Sequence, residues 1–205
     1  MSKPELSVII PIYNVTQKLV TLTQRCLRSV ERNTSKPYQL IIIDNGSPLR
    51  LNFKADVYVR FPTNQGVASA WNVGLFYAKG TWIAFLNNDI EVPKDWDAQL
   101  LSHFEANTGI IKSEEGWSCC IIPSRIFQDI GKFDERYFAY FEDIDFEQRL
   151  KNAKIDIVQT DLKCIHEKHA TAKEMPGMNK IYNESEAKFR EKFKLSPLDK
   201  SVIVF

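Results

Sequence analysis

Apolar positions along this chain gather into short β-rich runs separated by stretches of helical period. The runs are Leu6 to Ile10, Gln39 to Asp44, Val57 to Phe61, Trp82 to Leu86, Cys119 to Ile122 and Ile155 to Gln159. Their length and β-branched content predict strands, and their alternation with helical patterns predicts an α/β fold, a mostly parallel central sheet flanked by helices on both faces. Between the first two runs, Leu19, Leu22, Cys26, Leu27 and Val30 recur at helical spacing, and that helix ends near Asn33, before Pro37. A second helix is predicted from Val67 to Lys79, stopped by Gly80. A third spans Lys94 to Asn107, opened by Pro93, with Trp96, Leu100, Leu101 and Phe104 on one face. A fourth, Asp143 to Ala153, follows an acidic entry, and Asn183 with Glu186 forms a capping-box pattern for a last helix through Phe193. Residues 108–117 and 166–180 are the longest predicted loops, and the final Ser201 to Phe205 has the apolar pattern of a docking strand or a cut boundary.

Composition narrows the picture. With 205 residues, 44% of them hydrophobic, the chain can bury one sizeable core, which fits a single domain over residues 1–205. Its 27 Lys and Arg nearly cancel its 26 Asp and Glu, so no global field recruits nucleic acid or an anionic membrane. No apolar run approaches the roughly 20 residues of a transmembrane helix, and the N-terminus lacks the signal-peptide pattern, so the expectation is a soluble protein that stays where it is made. The four cysteines have no metal-type spacing, and Cys119 and Cys120, neighbours on a strand, point to opposite faces. Reduced core thiols and a cytoplasmic setting follow as expectations.

Chemistry-bearing side chains sit where predicted strands end, the edge at which open α/β sheets bind ligands. The run Trp82 to Leu86 passes straight into Asn87, Asn88 and Asp89. Asp89 can hold a hard divalent cation that in turn holds a diphosphate, although Asn and Asp also gather in turns for backbone reasons alone. In Ser7 to Asn14, Pro11 cannot donate to a ladder and marks where pairing stops. Beyond it, Tyr13 can stack on a flat base and Asn14 can bond the base or ribose; an ordinary strand exit explains the same residues. Asp44 closes another buried strand, where it can accept from the imide N–H of uracil or thymine or simply cap a turn. Neither G-x-G-x-x-G nor G-x-x-x-x-G-K-[ST] occurs, so a nucleotide has to be held through a metal and side chains. Glu142, Asp143 and Asp145 open a helix, where the dipole favours them; clustering and desolvation would also raise one pKa, a property useful in a base. His166, in Cys-Ile-His166-Glu-Lys-His169, is not part of an H-E-x-x-H motif. Among the aromatic residues around the acidic cluster, Phe138 and Phe141 are assigned to the core, and Trp117 or Tyr140 to contact with an acceptor.

Five segments in order carry a resemblance: Ser7 to Asn14, Ile42 to Ser47, Asn64 to Gly80, Leu86 to Asp89, and Gly131 to Asp145. Together they resemble the family 2 glycosyltransferases of GT-A fold, with the rhamnosyltransferase-like branch the nearest in pattern, over about residues 5 to 170. The resemblance implies an inverting, metal-dependent transfer of a hexosyl or deoxyhexosyl group from a nucleoside-diphosphate sugar, UDP- or dTDP-linked, to a glycan or glycoconjugate acceptor. It divides the chain into a nucleotide-sugar half, about 1–110, and an acceptor and base half, about 111–205. By position, Pro11, Tyr13, Asn14, Asp44 and Asn72 fall where the family grips the sugar nucleotide, and Asn87, Asn88 and Asp89 occupy its DXD site. Asp89 inherits the Mn²⁺ or Mg²⁺, with His166 reaching the metal or diphosphate. Asp143 inherits the general base, beside Glu142. Asn87 replaces the first Asp of the motif and Trp71 stands where many members carry Arg. Two rival readings remain open: a sugar-1-phosphate nucleotidyltransferase, and a degenerate domain that binds a sugar nucleotide or glycan without turnover.

Overall fold

The structure, a computed structural model, describes residues 4–167 and 170–195. In chain order the first half holds β1 (Leu6–Ile12), α1 (Gln17–Asn33), β2 (Tyr38–Asp44), β3 (Val57–Arg60), α2 (Val67–Tyr77), β4 (Trp82–Leu86), β5 (Ile90–Glu91) and α3 (Trp96–Leu101). The second half holds β6 (Thr108–Ser113), β7 (Gly116–Pro123), α4 (Ile126–Asp129), α5 (Glu142–Asn152), β8 (Asp156–Gln159), β9 (Ile165–His166), α6 (Ala170–Lys173) and α7 (Met178–Phe193). One seven-stranded sheet runs β3-β2-β1-β4-β7-β6-β8, and β5 pairs with β9 in a small ribbon. Pairing is parallel from β3 through β4 and between β6 and β8; β7 is antiparallel to both of its neighbours. A mostly parallel sheet between helical layers is thus the observed architecture. Among the described residues no helix is long and apolar enough to cross a membrane.

Alternation along the central strands builds two cores from the same residues. Val8, Ile10, Leu40, Ile42, Ala84, Leu86, Cys119 and Ile121 face Cys26, Leu27 and Val30 of α1 and Trp96 and Leu100 of α3. Ile9, Ile41, Ile43, Ile83, Phe85, Cys120 and Ile122 face Ala68 and Trp71 of α2 and Phe146 and Leu150 of α5. Cys119 and Cys120 therefore do point to opposite faces, and all four cysteines are free thiols.

Five sequence expectations need correction. Pairing does not stop at Pro11: on the β4 side it ends at Ile9, but on the β2 side it runs through Pro11 to Ile12, because a missing N–H costs the strand one donor and leaves its carbonyl free. Residues 108–113 form the interior strand β6 instead of loop, because β7 and β8 flank Ile110 and Ile111 and bury them. So short an apolar pair carries little signal of its own; its neighbours decide it. The helix drawn from Lys94 to Asn107 is only Trp96–Leu101, after which the chain tightens through His103 N–H to Leu100 O and Phe104 N–H to Leu101 O, and Phe104 packs edge-on against Trp82. The last helix starts at Met178, after Gly177 at φ 78°, so Asn183 lies inside it and caps nothing. The stretch 166–180 carries the end of β9, the short α6 and the start of α7. Ser201 to Phe205 and His169 lie outside the described residues.

At Gly66 the backbone of the first half packs closely on that of the second. This glycine sits at φ +87°, Val67 N–H donates to Phe138 O at 2.9 Å, and a Cβ on residue 66 would lie 2.4 Å from that oxygen. Gly66→Ala is expected to cost about 1–3 kcal/mol from the backbone conformation alone, read as a lower urea midpoint with an unchanged denaturant slope.

Candidate active site

Because β1, β2 and β4 run parallel and β7 runs against β4, the carboxyl ends of the first three and the start of β7 share one edge of the sheet. Turn-bracing bonds set that edge. Asn14 is fully buried: its N–H donates to Ser47 Oγ at 2.9 Å, its Oδ1 accepts from Thr23 Oγ1 at 2.9 Å, and its Nδ2 has no partner. Asn88 donates to the same Thr23 hydroxyl at 2.9 Å, so one α1 side chain ties the ends of β1 and β4 together. Asn87 is fixed to β7 by its N–H to Ser118 O at 3.0 Å and its Nδ2 to Ser118 Oγ at 2.9 Å. Asp44 is completely buried; it accepts from Ser47 N–H at 2.8 Å and Tyr58 OH at 2.7 Å and pairs with Arg60. Burial and the Asp44 bond push the Tyr58 phenol up to about 12. Pro11 and Tyr13 stand half-buried at the β1 exit.

Asp89 stands three residues past the end of β4 and is 8% exposed. His166, on β9, brings Nε2 to 3.3 Å from Asp89 Oδ1, while its Nδ1 meets Glu115 Oε2 at 3.1 Å. Burial pulls the imidazole pKa down, but bonding and charge from Asp89, then Glu115, outweigh it and raise it. Glu115 lies outside the site predicted from sequence: its only signal there is its place in an acidic turn, and what gives it meaning is the spatial meeting with His166.

The acidic run at the start of α5 divides by face. Asp145 is fully buried and structural: it accepts from Arg149 Nε at 2.8 Å, pairs with Lys192 of α7, and lies 3.4 Å from Tyr137 OH. Glu142 is 6% exposed with Oε2 unpartnered, and burial, then the charge of Asp143, holds its carboxyl well above the ordinary range. Asp143 is half-buried; burial raises its pKa, with Glu147 adding to the rise and Ile144 N–H, at 2.8 Å, and Lys112 opposing it. Tyr140 and Phe141 enter the helix at φ 64° and 70°, conformations that L residues rarely adopt. Two consecutive strained residues directly before the carboxylate pair are held by packing, since Phe141 and Tyr140 pack on Tyr182 and Phe141 also on Phe189. Phe141 is core, as expected, whereas Phe138 is only half-buried because it lies over the Gly66 loop.

One hairpin turn joins the two acidic groups. Glu115 leaves β6 toward His166, and two residues on, Trp117 donates Nε1 to Glu147 Oε1 at 2.7 Å, one helical turn past Asp143. Lys112 completes that contact at 2.6 Å from the same oxygen. Trp117 stacks on Trp71 at 5.8 Å within an aromatic cluster that includes Phe133. Trp71 is 3% exposed with its indole N–H unpartnered. Asn72 clamps the segment before α5: it donates to Phe133 O at 2.9 Å and Glu135 Oε1 at 2.8 Å and accepts from Phe133 N–H at 3.0 Å.

A mostly parallel central sheet between helices is an architecture shared with solved GT-A-type domains. A mannosyltransferase from Pyrobaculum calidifontis, PcManGT, solved with GDP-Man and Mn²⁺, aligns with TM-score 0.68 and 14% identity over 98% of this chain and 68% of its own. S. aureus TarS, residues 1–349 with UDP, aligns with TM-score 0.60 and 16% identity over 78% of this chain and 58% of its own. Residues 7–114 match the Glycosyl transferase family 2 model, and the chain belongs to that family. A PGL/p-HBAD biosynthesis glycosyltransferase of Mycobacterium bovis is 34% identical over 144 residues, 65% of this chain and 54% of that protein. An uncharacterized glycosyltransferase of Haemophilus influenzae is 37% identical over 111 residues, 51% of this chain and 36% of its own length. The chain thus spans about half the length, or less, of the curated relatives it matches. The family match ends at Glu114, so Glu115, the α5 carboxylates and His166 lie beyond it.

The Glu142 carboxyl, buried with one oxygen unpartnered, should make stability depend on pH. A carboxyl whose folded pKa is raised contributes its full stability below the unfolded value and loses it as pH climbs through the folded one. Glu142→Gln is therefore expected to melt like wild type near pH 4, about the free Glu value. Its advantage should open above that, by about 2–4 °C for each kcal/mol relieved. Thermal melts across pH 4 to 8 check it.

Proposed function

We propose that this domain transfers a glycosyl group from a nucleoside-diphosphate sugar to a hydroxyl of a glycan or glycoconjugate, with inversion at the anomeric carbon. The observation that carries the reading is the hairpin turn through Glu115 and Trp117, which touches both His166, against Asp89, and Glu147, beside Asp143. Leaving-group and base chemistry need two such groups facing one space.

Asp143 takes the proton of the attacking hydroxyl. Its raised pKa suits that role, and Glu147, held by Lys112 and Trp117, keeps negative charge behind it. Glu142, with one oxygen unpartnered, orients the acceptor or its loop. Pro11 and Tyr13 offer the nucleoside a wall at the β1 exit, and Asn14, Asn72, Asn87 and Asn88 hold the surrounding turns in place. Asp44 has three donors on a carboxylate with about four acceptor positions, which leaves one for the imide of a uracil or thymine base. Tyr58, 39% exposed, covers it and has to turn aside.

Among the described residues no group of three or more His, Cys, Asp or Glu converges as a metal cage. The Asp89 and His166 pair nevertheless fits a cation that takes its other ligands from the diphosphate and water, as Mg²⁺ sites do, and Glu115 on Nδ1 is the outer carboxylate typical of a ligating imidazole. Mn²⁺ or Mg²⁺ bound there would supply positive charge against the departing diphosphate. A second reading, binding without turnover, draws on Asn87, tied to Ser118, and on the buried Trp71.

Incubation with UDP-, dTDP- and GDP-sugars, Mn²⁺ and glycan acceptors tests the proposal. Nucleoside-diphosphate release coupled to glycoside formation supports it; saturable binding without release favours the second reading, and pyrophosphate chemistry a nucleotidyltransferase. Asp143→Asn is expected to keep nucleotide affinity and lose about 10²- to 10⁴-fold in rate, whereas Asp89→Ala weakens Mn²⁺-dependent nucleotide binding. Glu115→Gln should weaken Mn²⁺ affinity by about 10- to 100-fold, read by calorimetry in the presence of UDP.

A further inference from the structure

Positive charge is concentrated on the side of the molecule where α1 meets the small ribbon. A cavity of about 500 Å³ there is lined by Arg25, Arg28, Arg32 and Lys163 against one acid, Glu91. Arg25 pairs with Glu91. Among the described residues Arg28, Arg32 and Lys163 have no carboxylate partner, so the cavity holds three unpaired cations beside the Arg25–Glu91 pair. The cavity is thus uncompensated within a chain whose formal net charge is only +1.

The three arginines share the outer face of α1, since their spacing of three and four residues returns to one side of a helix. The inner face is committed to the core through Cys26, Leu27 and Val30. Ile165, two residues after Lys163, also lines the cavity and is 67% exposed, a large apolar side chain at the rim of a basic hollow. A solvated charge run explains arginines on a helix, but it explains neither the concavity nor the isoleucine. A soluble phosphate would neutralise the cations and leave Ile165 in water. A bilayer surface satisfies both, because anionic headgroups attract clustered Lys and Arg while the acyl boundary accepts an apolar side chain.

We infer that this cavity docks the chain on an anionic phospholipid surface, with headgroup phosphates among Arg28, Arg32 and Lys163 and Ile165 entering the headgroup boundary. The contact also places the metal pair near the bilayer. In the ribbon Glu91 lies opposite Ile165 and Ile90 opposite His166, so the docking face and His166 are one residue pair apart. The inference stands on the cavity and does not depend on the reaction proposed for the carboxylate edge.

Co-sedimentation of the whole chain with vesicles tests it, comparing phosphatidylcholine alone with a phosphatidylglycerol mixture. Binding is expected only to the anionic vesicles and should fall as salt is raised. The double variant Arg28→Glu/Arg32→Glu should lose about tenfold or more in vesicle affinity, and Ile165→Ser should bind more weakly at unchanged charge. Arg50→Glu/Lys54→Glu changes the net charge equally at exposed positions away from the cavity and should bind like wild type. Circular dichroism of each variant establishes that it folds. Three results overturn the inference: no binding to anionic vesicles, equal loss in both double variants, or binding of inorganic pyrophosphate at the cavity without vesicle binding.

Discussion

The antiparallel seat of β7 beside β4 is the constraint on which the rest depends. A parallel neighbour would deliver its first residues to the opposite edge of the sheet; an antiparallel one delivers them to the edge where β4 ends. Leu86 pairs with Cys119, so Ser118, Trp117 and Glu115 come to lie beside Asn87 and the Asp89 turn. From that single reversal follow the Glu115 contact with His166 and the Trp117 contact with Glu147. Family 2 membership and the GT-A-like fold describe the sheet; the reversal explains why its edge can hold two separate acidic groups.

The carboxylates in and around α5 differ in how their charge is treated. Asp145 and Asp134 are surrounded by Arg149, Arg136 and Lys192, and the Arg136 and Lys192 bonds hold the Asp134 carboxyl far below the usual range. Such pairs tie α5 to α7 and are poor bases. Glu142 and Asp143, on another side of the same helix, are desolvated with little compensation, and their pKa values rise. Helical geometry separates the two fates: residues two apart in sequence face different surroundings. The strained Tyr140 and Phe141 at the helix entry belong to the same arrangement, since they fix where the first turn begins.

Charge is unevenly distributed over the outer surface as well. A near-neutral chain carries an uncompensated basic hollow beside α1, and its far wall is the ribbon that supplies His166. Net charge bounds the long-range field but says nothing about how cations are distributed, and the hollow forms where the β5 segment and the segment entering β9, with Lys163 and Ile165, face α1.

Period and composition alone determined the central strands and their two-faced core, because alternating burial on a pleated sheet is written directly into Val8 to Ile12, Leu40 to Ile43 and Ile83 to Leu86. They also placed Asn87 to Asp89 and Asp44 at strand ends, where the loss of apolar residues marks the stop, although β1 itself runs past Pro11. The tertiary structure decided what local signals are too weak or too distant to state. It made a strand of Thr108 to Ser113 by flanking it, cut α3 short, split the Glu142 to Asp145 run into uncompensated and ion-paired carboxylates, and set Glu115 behind His166 across 51 positions of sequence. Short-range pattern fixes which way a side chain points within its own element; which partner it then meets depends on sheet order and strand direction, and those are settled only when the whole chain packs.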